Sequence, residues 1–126
     1  MKKNPLRKSF RFAFEGIFTT IRHERNMQIH CFMAACVIIA GILFNISLTE
    51  WFTCFILFAH VMSLELVNTA MEAAVDLVTE EKRPLAKKAK DAAAGAVLIA
   101  AIFAAMIGLM IFVPKLFIFL RAFGII

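Results

Sequence analysis

No loop in this sequence can wrap a phosphate in backbone amides, because neither GxxxxGK[ST] nor GxGxxG occurs and the chain has only five glycines. A P-loop or a protein-kinase glycine loop is therefore excluded, and any nucleotide would have to be held by side chains and metal. A Ser/His/Asp hydrolase set is missing as well. The three cysteines, Cys31, Cys36 and Cys54, are odd in number, lie inside apolar runs and show no CxxC spacing, which fits buried, reduced packing residues. His23, His30 and His60 lack the Cys or His companions that a zinc site needs. The first 25 residues hold scattered charges and no unbroken apolar core, so no signal peptide is expected.

What is abundant is apolar surface. At 126 residues, 62% hydrophobic content is too much for a soluble domain of this size, and the chain reads as an integral membrane protein. The expected fold is all-α and forms a single membrane-embedded unit over residues 1–126. It comprises an amphipathic helix at 4–24 and three span-bearing helices at about 29–48, 51–78 and 84–113. In the first helix Leu6, Phe10, Ala13, Phe14, Ile17 and Ile21 share one face, while Lys8, Arg11, Glu15 and Arg22 share the other. A phenylalanine-rich face opposite a basic one suits a helix lying in the interface beside anionic lipids. Pro84 is placed as a first-turn residue, and Pro114-Lys115 as a break or membrane exit.

Basic residues set the expected orientation. Seven of the fourteen precede residue 30, five lie between Lys82 and Lys90, and none falls in the hairpin at 45–50. The positive-inside rule then puts the N-terminus and the 79–91 loop in the cytoplasm, with the hairpin and the C-terminus outside. In the third span Ala92, Ala96, Ala100, Ala104 and Gly108 place a small residue at every fourth position, a ladder that lets helices approach closely in lipid. One three-helix chain encloses little, so an oligomer is expected.

The chain is organised around Glu65-Leu-Val-Asn68-Thr-Ala-Met-Glu72-Ala-Ala-Val-Asp76. At about 100° per residue, Glu65, Asn68, Glu72 and Asp76 fall within an arc of roughly 80°. A helix starting at Trp51 has crossed most of a ~30 Å hydrocarbon core by Leu66, so Glu65 stands at the hydrocarbon edge and Glu72 and Asp76 in the headgroup zone. Such an arrangement can meet both a lipid hydroxyl and a soluble, metal-bound polyanion. Solvation or pairing with the lysines of the 79–91 loop accounts for Glu80, Glu81 and Asp76, but poorly for Glu65 between two leucines. Mg²⁺ uses one or two protein carboxylates, and Glu24, before the first span, and Glu72 can supply them. Lys90 and Asp91 begin the third helix at the same surface, where a lysine can meet phosphate. A cation or proton-coupled transporter also carries acids in its membrane helices, although there they lie at the midplane instead of at one surface. A structural scaffold would need none of these acids.

The stretch from Glu65 to Asp76 resembles the signature of the prokaryotic diacylglycerol kinase family, and Glu24, Ala89-Lys90-Asp91 and the three-span layout are similar to it as well. Ser9-Phe-Arg-Phe-Ala-Phe-Glu-Gly16 and Glu24-Arg-Asn-Met-Gln-Ile-His30 further resemble the Gram-positive branch, whose members act chiefly as undecaprenol kinases. The resemblance implies a homotrimer in the bacterial inner membrane that moves the γ-phosphoryl group of Mg-ATP to a lipid alcohol, undecaprenol first and diacylglycerol second, with no nucleic-acid partner. By matched position it implies Glu65 as general base, Asn68 as a positioning residue, and Glu24 and Glu72 as Mg²⁺ ligands. Lys90 would contact phosphate, Asp76 and Asp91 would support the site, and Glu81 would lie toward the nucleotide. Pro5 stands where the family's N-terminal arginine is expected, with Arg7 and Lys8 close by.

Overall fold

The computed structural model describes residues 5–125, and these form four helices: α1 (Leu6–His23), α2 (Arg25–Leu43), α3 (Leu48–Val78) and α4 (Pro84–Ala122). The last three are long and apolar enough to cross a membrane. α1 begins at Leu6, and residue 4, the expected start, lies outside the described residues.

Glu24 is the single non-helical residue between α1 and α2, with φ −96° and ψ 115°, so it ends one helix and stands at the N-cap position of the next, without a side-chain cap. Because that break takes one residue only, α2 starts at Arg25, ahead of the expected 29. It also ends at Leu43 instead of 48. The reason is local. Asn45 turns into the left-handed region (φ 48°), which Asn tolerates better than most residues, and the amide of Ile46 closes the turn on the Gly41 carbonyl at 3.1 Å. Ser47 then opens α3 through a capping box, with its hydroxyl accepting from the Glu50 amide and its own amide donating to the Glu50 carboxylate at 2.7 Å. This cap moves the start of α3 from the expected Trp51 back to Leu48. Trp51 folds over the hairpin so closely that a Cβ on Gly41 would lie 2.6 Å from its ring.

α3 has 31 residues and is about 46 Å long, more than a ~30 Å core requires, so its last turns project beyond the apolar run. Pro84 opens α4 in its first turn, where a missing N–H costs nothing. Pro114 does not end this helix, which continues to Ala122 rather than stopping at 113. Proline removes one backbone bond, and contacts on both sides of it offset the loss: Phe44 packs on Phe112 and on Phe119, and Lys115 pairs with Glu50 at 3.1 Å. The α4–α3 contact is the most extensive in the chain, α2 packs on α3, and α1 touches α2 and α3.

The interior is narrow. Met27, Ala34, Cys54, Val61, Val97 and Ala100 are buried along the helix seams, while many large apolar side chains on α2, α3 and α4 face outward. Outward apolar surface on this scale needs lipid or another chain against it. Ala100 of the small-residue ladder is buried, but a Cβ on Gly108 would meet nothing within 4 Å, so the ladder is only partly used inside one chain.

Candidate active site

Two regions at one end of the helices hold the polar residues singled out by the sequence. The first is a cavity of about 370 Å³ between α2, α3 and α4, bordered by Asn26, His30, Glu65, Asn68 and Ala101. Glu65 lies on α3 where the helix is still packed on both sides, and its residue exposure is 1%. Asn68, one turn on, is 5% exposed. Neither Glu65 Oε2 nor Asn68 Oδ1 has a hydrogen-bond partner, although both are buried. Leaving such an acceptor unmet costs about 1–3 kcal/mol, more for a charge, so the cavity offers two acceptors to any donor that enters it.

The rest of the stripe extends outward from this cavity. The Asn68 amide donates to the Glu72 carboxylate at 3.4 Å, and the Thr69 hydroxyl donates to the Glu65 carbonyl at 3.0 Å. Glu24 and Glu72 stand close enough for their charges to act on Glu65. Three carboxylates from two places in the sequence thus lie near one another, one of them hydrogen-bonded to the buried Asn68 amide. Among the described residues, no cluster of three or more His, Cys, Asp and Glu side chains has the geometry to hold a metal ion by itself.

The second region is an open groove of about 610 Å³ between the end of α3, the 79–83 connection and the first turns of α4. Here the charges are paired. The Lys90 ammonium donates to Asp76 at 2.6 Å, Lys87 pairs with Asp91 one helical turn on, and Arg83 grips Glu81 through Nε at 3.0 Å and Nη2 at 2.9 Å. The Glu81 amide donates to the Thr79 hydroxyl at 3.1 Å, which shapes the connection.

Of the residues expected in one site, the structure puts Glu65 and Asn68 in the cavity wall with Glu24 and Glu72 near Glu65, and places Asp76, Glu81, Lys90 and Asp91 on the groove. Asp76 belongs to the same helical stripe as Glu65 but is three turns away and on the groove side. Asn26 and His30 were not singled out as site residues. They lie one turn apart at the start of α2 and face α3 across the cavity, with His30 Nε2 3.9 Å from Glu65 Oε2. The available signal was two polar residues, four apart, on the first turns of an apolar span.

Comparison with known proteins places the chain in a family. An undecaprenol kinase of Bacillus subtilis (strain 168) is 52% identical over 109 residues, covering 86% of this chain and 89% of that protein. A diacylglycerol kinase of Synechocystis sp. is 40% identical over 126 residues, covering 90% of this chain and 72% of that protein. A diacylglycerol kinase of Helicobacter pylori (strain 26695) is 33% identical over 111 residues, with 79% and 83% covered. The family model for prokaryotic diacylglycerol kinases matches residues 11–112, most of the chain, and this multi-pass membrane protein therefore belongs to the prokaryotic diacylglycerol kinase family.

Proposed function

We infer that this chain is an ATP-dependent lipid kinase that transfers the γ-phosphoryl group to the hydroxyl of undecaprenol, giving undecaprenyl phosphate. The observation that carries this reading is the 52% identity, over nearly the full length of both chains, to a protein that is an undecaprenol kinase. The relatives that are diacylglycerol kinases stand further off, at 40% and 33%, which makes diacylglycerol the second acceptor.

The site suits this chemistry because phosphoryl transfer needs mainly alignment and charge neutralisation. Glu65, buried with a bare oxygen, takes the proton of the lipid hydroxyl as that oxygen attacks the γ-phosphorus. Asn68 positions the reactants with its own unmet oxygen and holds Glu72 with its amide. Lys90, at the mouth of the groove, meets phosphate oxygens when it releases Asp76. Asp76 and Asp91 keep the lysines of α4 in place, and Glu81 shapes the nucleotide end through Arg83.

Mg²⁺ on the ATP phosphates fits the donors present, because it takes hard oxygen ligands, keeps several waters and needs only one or two protein carboxylates. Glu24 and Glu72 would hold it, and when bound it neutralises charge on the phosphates. The outward apolar surface and the unused part of the ladder support a homotrimer, with neighbouring chains closing the open sides of the site. The basic residues around the groove and in α1 support a bacterial cytoplasmic-membrane location with this end inside and the hairpin outside. In that orientation the exposed Phe10, Phe14 and Phe18 of α1 would enter the interface beside anionic lipid.

The test is transfer of radiolabelled γ-phosphate from Mg-ATP by purified protein in mixed micelles, with undecaprenol and diacylglycerol offered separately and together and Glu72→Gln as the blank. Strong labelling of undecaprenol is expected. Preferential labelling of diacylglycerol would move the acceptor assignment to that lipid, and labelling of neither by folded protein would remove the kinase reading.

A further inference from the structure

Glu65 Oε2 is buried and unpartnered, and two side chains of α2 face the carboxylate across the cavity: Asn26, close enough to act on it, and His30, whose Nε2 lies 3.9 Å from Oε2. That separation is too long for a hydrogen bond between them. It is nevertheless a useful distance. An oxygen placed about 2.8 Å from each atom would subtend an angle of about 90°, within reach of a hydroxyl that donates once and accepts once. Asn26 and Asn68 border the same cavity, and apolar Ile29, Val97 and Leu98 complete its walls, so a hydroxyl on an apolar chain matches its lining. The His30 side chain is 19% exposed, so its ring lies mostly within the protein.

We propose that His30 is a second contact for the acceptor alcohol: Nε2–H donates to the hydroxyl oxygen while that hydroxyl donates its proton to Glu65 Oε2. This rests on the kinase reading above and adds a specific role to it. When Glu65 takes the proton, the oxygen keeps its hydrogen bond from Nε2 and presents a lone pair to the γ-phosphorus. The O–H bond breaks, the new O–P bond forms, and ADP leaves with the electrons of the β–γ bridge. His30 loses no proton in the step. Its contribution is the position of the nucleophile, so it acts on lipid turnover and not on nucleotide affinity.

Glutamine and asparagine separate this role from mere packing, because the glutamine amide reaches the place of Nε2 and the asparagine amide only that of Nδ1. The full chain is purified as wild type, His30→Gln, His30→Asn and His30→Ala. Each is assayed with undecaprenol in mixed micelles, alongside Mg-ATP binding and the thermal unfolding midpoint. His30→Gln is expected to keep kcat/KM for the lipid within about 5-fold of wild type, while His30→Asn and His30→Ala lose about 30-fold or more with nucleotide affinity unchanged. Equal loss in the Gln and Asn variants, both folded, overturns the proposal, as does wild-type turnover in His30→Asn. If His30→Ala does not fold, the Gln and Asn pair decides alone. Wild-type protein that labels no lipid alcohol overturns the kinase reading and this role together, whereas a labelling wild type with indifferent His30 variants overturns this role alone.

Discussion

The cavity around Glu65 and the groove around Lys90 lie at the same end of the molecule and contain similar side chains, yet they treat charge in opposite ways. In the groove, Lys90 with Asp76, Lys87 with Asp91 and Arg83 with Glu81 satisfy one another at the surface. In the cavity, Glu65 Oε2 and Asn68 Oδ1 are buried with no partner at all. Exposed pairs in water contribute little to stability and rearrange easily, so the groove can exchange its internal partners for a charged ligand. A buried oxygen without a partner has no such freedom, and its desolvation is offset only when something enters the cavity. The groove is thus suited to exchanging partners, and the cavity to receiving a donor.

Substituting Glu65, the proposed general base, breaks this contrast most severely. Glu65→Gln keeps size and one acceptor oxygen but cannot take a proton, and is expected to lower phosphoryl transfer to undecaprenol by about 10²–10⁴-fold while Mg-ATP still binds. Initial rates and nucleotide titrations check this, and a variant retaining more than a tenth of the wild-type rate would deny Glu65 the role of base. Lys90→Met tests the groove, where grip is the issue: the KM for ATP is expected to rise about 10-fold, with a smaller fall in kcat. A loss confined to kcat at unchanged KM would place Lys90 with the reacting atoms instead. The smallest effect belongs to the far end of the helices, where Lys115 joins Glu50 across the continuation of α4. Lys115→Met is expected to leave lipid kinase activity within about 2-fold and to lower the unfolding midpoint by no more than about 4 °C. A large loss of activity would mean that the Pro114 region is coupled to the site.

The stripe was legible because helical periodicity is a property of the backbone: once α3 forms, Glu65, Asn68 and Glu72 must share a face whatever surrounds them. Membrane character was equally plain from composition, and Pro84 at the start of α4 follows from the missing N–H. The helix ends were harder to read. The capping box at Ser47 and Glu50 and the left-handed Asn45 decide where α2 stops and α3 starts, and each is a local alternative that apolar run length does not register. Pro114 argued for a break on propensity, but Phe44 just after α2 and Glu50 from α3 hold α4 on both sides of it. His30 escaped notice as a site residue because a lone histidine at the start of an apolar span carries no motif. Its meaning lies in facing Glu65, 35 positions further along the chain.

The sequence by itself determined the membrane class, the four helices in order and the alignment of the acids along α3, since these depend on hydropathy and on a period of about 3.6 residues. Tertiary structure alone decided which of those acids would be buried and left without a partner, which would be paired across α3 and α4, and which side chain would stand opposite Glu65. Burial and pairing arise from how one helix lies against another. Distances of 2.6 Å between Lys90 and Asp76 and 3.9 Å between His30 and Glu65 join residues that no local pattern connects.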